Sequence, residues 1–130
     1  MRCLDTDFLV AILRKHPEAK RKMDQLDDEG AQSTTAINAF ELYYGAYRSR
    51  RREANVKEAK RILARLEVLP LKEDSAEEAG RIFANLEAKG GSLDFRDVLT
   101  AGVSLTNHLK LVTRNTDHYS RITDLEIESW

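Results

Sequence analysis

Arg2-Cys3-Leu4-Asp5-Thr6-Asp7-Phe8-Leu9 is the stretch that decides the fold. Residues 2–5 read as a short apolar strand, which passes without a linker into apolar residues at helical spacing, Phe8, Leu9, Ile12 and Leu13. The same brevity recurs along the chain. Pro17 suits the first turn of a second helix carrying Ala19, Met23 and Leu26 and ending at Gly30. A very short strand at 31–34 precedes a long helix over 35–48, with Ile37, Phe40 and Tyr44 expected on its inward face. Val56, Ala59, Leu63 and Leu66 mark a helix over 53–66. Val68-Leu69-Pro70 reads as a strand ended by proline. Asp74 or Ser75 then caps a helix through Ala79, Ile82, Phe83 and Leu86 that Gly90-Gly91 closes. A helix over 95–107, a strand at 111–113, a helical turn at 117–122 and a last strand at 125–127 finish the chain. Short apolar strands alternating with helices predict a three-layer α/β/α domain with a mainly parallel sheet covered on both faces.

Composition narrows the function. One domain spanning residues 1–130 is expected, and folding at this length buries roughly two-thirds of the unfolded chain's surface. Cys3 is the single cysteine, so no intrachain disulfide exists. With no secretory leader visible, a reducing, cytoplasmic setting is expected. No apolar run approaches the ~20 residues of a membrane helix. The formal net charge is −1, lower than a protein that coats duplex DNA usually carries. That average hides an asymmetry: Arg48, Arg50, Arg51, Arg52, Lys57, Lys60, Arg61 and Arg65 meet only Glu53 and Glu58 between residues 48 and 65. Such a patch suits a polyanion, and equally the solvated face of an amphipathic helix.

In an open parallel sheet, ligands bind beyond the carboxyl ends of the strands. Asp5 ends the first strand, where it serves either a site or the cap of the next helix. Glu41 shares the stripe of Ile37 and Tyr44, and a carboxylate there is costly unless a cation meets it or it pairs with an arginine. Asp94 and Asp97 open the sixth helix; one of them caps it and leaves the other free to enter the cleft. Asn115 and Asp117 follow the strand at 111–113, with Asp117 equally suited to favour a helix dipole. Four distant regions thus deliver oxygen ligands to one predicted edge, and crowded carboxylates need a counter-cation. Oxygen ligands without His or Cys suit Mg²⁺ or Mn²⁺ rather than zinc. His16, His108 and His118 lack metal-ligand spacing and read as surface or loop residues. The chemistry this set supports is phosphodiester hydrolysis.

Leu4-Asp5-Thr6, the segment from Thr34 to Glu41-Leu42 with Gly45, Asp97-Val98-Leu99-Thr100-Ala101, Leu111-Val112-Thr113-Arg114-Asn115 with His118-Tyr119, and the closing Trp130 appear in an order that resembles the PIN-domain ribonucleases. Among these the chain is most similar to the VapC toxins of type II toxin–antitoxin operons, over its whole length. The resemblance implies a Mg²⁺-dependent endoribonuclease, with Mn²⁺ as a substitute, acting on structured RNA such as tRNA or rRNA. It implies Asp5, Glu41 and Asp97 as the catalytic acids, with Asp5 and Asp97 nearest the metal. The family's fourth acidic position falls on Asn115, so Asn115 or Asp117 completes the metal site, and one resting ion is expected. Arg50, Arg51 and Arg52 would contact RNA phosphates. Thr6, Thr34 and Thr113 would hold the carboxylates by hydrogen bonds, and Asp94 would support them from behind. Family partners are a VapB-like antitoxin, seated in an apolar groove between the early helices, and a second copy in a homodimer. Tyr43, Tyr44 and Tyr47 belong to that groove, to an RNA-stacking surface or to the core.

A second reading is a catalytically inactive PIN-like module that binds RNA or protein, and Asn115 is the residue that favours it. Nucleotide hydrolysis is disfavoured because neither GxxxxGK nor GxGxxG occurs.

Overall fold

The computed structural model describes residues 1–130. Five strands, β1 (Arg2–Leu4), β2 (Ser33–Thr35), β3 (Glu67–Leu69), β4 (Lys110–Val112) and β5 (Ile127–Glu128), form one parallel sheet in the order β3-β2-β1-β4-β5. Seven helices connect them: α1 (Thr6–Leu13), α2 (Pro17–Glu29), α3 (Ala36–Arg48), α4 (Arg52–Ala64), α5 (Glu73–Ala88), α6 (Phe95–Thr106) and α7 (Thr116–Tyr119).

Alternation along the strands sorts the core into two layers. Leu4 and Val112 face one side, where they pack with Phe8 and Leu9 of α1, Leu26 of α2, Leu42 of α3 and Ile62 of α4. Cys3 and Leu111 face the other, against Ile82 of α5, Val98 and Ala101 of α6 and Tyr119 of α7. The fold is therefore the three-layer α/β/α arrangement that the alternating pattern predicts.

Strand β2 is made of buried hydroxyls, which stay satisfied by binding neighbouring backbone. Ser33 Oγ donates to Arg2 O at 2.7 Å, and Thr34 Oγ1 to Leu4 O at 2.7 Å. The expected inward stripe of α3 is rotated. Ile37, Asn38, Leu42 and Ala46 are its buried residues, while Phe40 and Tyr44 stack on each other in solvent at 6.0 Å, 57% and 48% exposed. The cap of α5 also lies earlier than read, at Lys72, leaving Asp74 in the first turn. His16 is the half-buried loop residue before α2, its ring packed edge-to-face with Trp130 at 5.6 Å.

Strand order reverses at β1. The chain runs outward from it through β2 to β3, then returns to its other side for β4 and β5. A crevice opens at such a switch point, and the residues just after β1 and β4 form its floor.

Candidate active site

Register sets the floor. Leu4 pairs with Val112, so Asp5 and Thr113 emerge side by side, and the Asp5 backbone N–H donates to Val112 O at 3.0 Å. The Asp5 carboxylate is 6% exposed and held on every side. Its Oδ1 accepts from the Thr6 N–H at 2.9 Å and from Asn38 Nδ2 at 3.0 Å; its Oδ2 accepts from the Thr113 hydroxyl at 2.8 Å. Burial, and then the charge of Asp7, push Asp5 up to about 7 against the pull of these donors.

Glu41 arrives from α3, one turn after Asn38. The Thr6 hydroxyl donates to its Oε1 at 2.9 Å and itself accepts from Asn38 Nδ2 at 2.9 Å. Asn38 is fixed in turn by the capping box at the start of α3, where its Oδ1 accepts from the Thr35 hydroxyl at 2.7 Å. Asp97 enters from the first turn of α6, leaving Asp94 as that helix's cap. The buried Tyr119 hydroxyl donates to Asp97 Oδ1 at 3.2 Å. Burial raises both Glu41 and Asp97 above the usual carboxylate range, partly offset by the Thr6 and Tyr119 hydrogen bonds.

Asp5, Thr6, Asp7, Glu41, Asp97, Arg114 and Asn115 line one open cleft of about 410 Å³ with no hydrophobic wall. Of the residues expected at the site, Asp117 stands outside that lining, exposed on α7. Thr34 turns its hydroxyl to Leu4 O, away from the carboxylates. Asp94 sits at the outer edge, where its hydrogen bonds to Arg96 hold it down at about 2. Arg50, Arg51 and Arg52 lie at the corner between α3 and α4, lining a separate cavity of about 800 Å³ with Lys57 and Arg61.

Five residues of this arrangement, Asp7, Asn38, Arg96, Arg114 and Tyr119, have no site role in the sequence reading. Asp7 lines the cleft, accepts from the Arg114 N–H at 2.8 Å, and keeps Oδ1 buried without a partner. Its spacing from Asp5 was a usable signal, as was that of Asn38, three residues before Glu41 on one helix face. Arg96 gave no signal, and Tyr119, although part of the His118-Tyr119 motif, gave none of a link to the acids, because only the tertiary fold brings them together.

No three His, Cys, Asp or Glu side chains form a ready-made metal cage. The donors are nevertheless all oxygen, their acids are raised by burial and mutual repulsion, and Asp7 Oδ1 lacks a partner. Such a set fits a hard divalent cation that uses one or two carboxylates and keeps several waters.

A parallel α/β/α sheet with a carboxylate cluster at its switch point and no phosphate-binding glycine loop defines a class of three-layer acidic-site domains. Residues 2–125 match the family model of the PIN domain, and the chain belongs to that family. It is similar to the tRNA(fMet)-specific endonuclease VapC of Salmonella typhimurium, 32% identical over 127 residues, covering 98% of this chain and 96% of that one. Ribonuclease VapC2 of Rickettsia felis is 29% identical over 128 residues, with the same coverage. Among solved structures, DNA-bound VapBC from Salmonella typhimurium superposes with a TM-score of 0.91 at 31% identity, covering 100% of this chain and 99% of that one. VapBC2 from Rickettsia felis, bound to a promoter DNA fragment, gives 0.92 at 28% identity, covering 99% and 98%.

Proposed function

We propose that this chain is an endoribonuclease that hydrolyses phosphodiester bonds in structured RNA and acts as the toxin of a VapBC-type pair. The observation that carries the reading is the convergence of Asp5, Asp7, Glu41 and Asp97 on one polar cleft at the switch point. Asp5 and Asp97 would hold Mg²⁺ or Mn²⁺, with Asn115 offering a neutral oxygen beside them. A bound ion supplies positive charge to the phosphate and lowers the pKa of water. The chain's own residues fix the geometry: Thr113 and Asn38 orient Asp5, Thr6 orients Glu41, and Tyr119 orients Asp97. Glu41, raised by burial, is suited to take the proton that attacking water gives up as the P–O ester bond breaks, the leaving ribose oxygen taking its proton from solvent in the open cleft.

Two VapC relatives carry the name tRNA(fMet)-specific endonuclease, which makes initiator tRNA the first substrate to try here. Arg50, Arg51 and Arg52 would bind RNA phosphates from the α3–α4 corner. Between that corner and the acids runs a groove walled by Val10, Leu13, Leu42, Gly45, Ala46 and Ala59, and this is where a VapB-like antitoxin would lie. The reading includes one PIN-like domain over 1–130, a homodimer and a cytoplasmic location; no helix is long and apolar enough to cross a membrane.

Asn115, in place of a fourth family carboxylate, favours the inactive binding module as second reading. Incubation with an initiator tRNA transcript separates the two. Discrete fragments that vanish in Asp97→Asn, with Tm retained, support the nuclease. Tight binding without scission of this tRNA or of rRNA supports the module.

A further inference from the structure

Arg96 stands directly before Asp97 at the start of α6. Its Nε and Nη2 grip the two oxygens of Asp94 at 3.0 and 2.8 Å, a planar fork-on-fork pair. Its Nη1 makes no hydrogen bond and lies 3.7 Å from Glu41 Oε2, beyond bonding distance and at the edge of the acidic cleft. It forms a long ion pair with Glu41 there and no hydrogen bond, so its N–H groups remain without an acceptor. The other guanidinium at the cleft, Arg114, is already committed: it lies over the Trp130 ring at 3.8 Å and donates to Trp130 O at 2.8 Å.

A phosphodiester entering a cleft lined by four carboxylates is repelled unless a fixed cation meets it. Arginine held by a bidentate partner has lost its rotamer freedom in advance, so less entropy remains to be lost when a phosphate binds. We propose that Arg96 takes a phosphate of the RNA through Nη1 at the edge of the acidic cleft, with Asp94 as the positioning residue that holds its guanidinium. The inference rests on the ribonuclease reading and adds to it a substrate contact and its support.

The test uses initiator tRNA transcript with wild type, Arg96→Ala, Arg96→Lys and Asp94→Ser, a serine that keeps the α6 cap while removing the carboxylate. Cleavage is followed in Mg²⁺, and the salt dependence of tRNA binding in EDTA. Arg96→Ala is expected to raise KM about 10- to 100-fold with kcat little changed, as for a charged contact made equally in ground and transition states. It should also reduce the salt slope by about one unit. Arg96→Lys should keep the slope and recover only part of KM. Asp94→Ser should raise KM with the slope intact. Wild-type KM and slope in Arg96→Ala would overturn the proposal and leave Arg96 a structural partner of Glu41. Should wild type cut no RNA, the nuclease reading fails while the salt slope still decides Arg96.

Discussion

Asp5 carries the largest conflict between stability and use in this chain. Three close donors and the Tyr119 hydroxyl at 3.5 Å meet its carboxylate, yet burial and Asp7 push it to about 7, so the folded protein holds a proton that the unfolded chain releases near 3.8. Because the native state binds more protons between those values, stability of the metal-free protein falls as pH rises through that window. Tm measured without metal is expected to be higher at pH 5.5 than at pH 8, and Asp5→Asn should flatten the difference. An unchanged slope in Asp5→Asn would assign the effect to other groups. Thr113→Val removes the donor to Oδ2 and should lower activity about 10- to 100-fold, which steady-state cleavage assays would measure. Asp5 and Asp97 were legible in the sequence because a strand end and a helix start are local features, and Glu41 because it falls on the stripe of an amphipathic helix. Asp7 is masked by its neighbour Asp5, and Tyr119 reaches Asp97 only across 22 residues of intervening chain.

Many elements were legible because β1, β3 and β4 carry brief apolar runs and several helices have local punctuation, such as Pro17 at the start of α2 and Asp94 before α6; β2, built of Ser33, Thr34 and Thr35, and α4, which has no side-chain cap, lack such marks. The facing of α3 was not. Asn38 occupies the middle of the true buried stripe and bonds Asp5, so a polar residue there disguised the inward face and lent it to Phe40 and Tyr44. Glu41 borders both stripes, which is why it was singled out from a wrongly turned helix. Close contact between α5 and α6 also depends on one residue. A Cβ at Gly102 would meet Ser75 O at 2.6 Å and Ala79 Cβ at 3.0 Å. Gly102→Ala is therefore expected to cost about 1–3 kcal/mol by forcing the helices apart, visible as a lower urea midpoint. A midpoint equal to wild type would show that the two backbones yield without cost.

At the scale of the molecule, the topology joins acids from β1, α3 and α6 at one point while leaving the basic corner at the far end of the α3–α4 groove. Charge is thus segregated although the total is only −1. Arg50, Arg51 and Arg52 are exposed, so replacing all three by alanine should leave Tm unchanged and weaken tRNA binding, with a shallower salt dependence. Unaltered binding would make the corner an ordinary solvated helix end. Sheet order was beyond the sequence, since strands of two or three residues carry no register signal of their own; pairing is set here by which helices cover each face. The most direct measurement of the central claim is incubation of the purified chain with total tRNA in Mg²⁺, in Mn²⁺ and in EDTA, beside Asp5→Asn. Discrete fragments are expected with either metal, and none in EDTA or in the variant. Fragments of the same pattern in EDTA and in Asp5→Asn would contradict that claim.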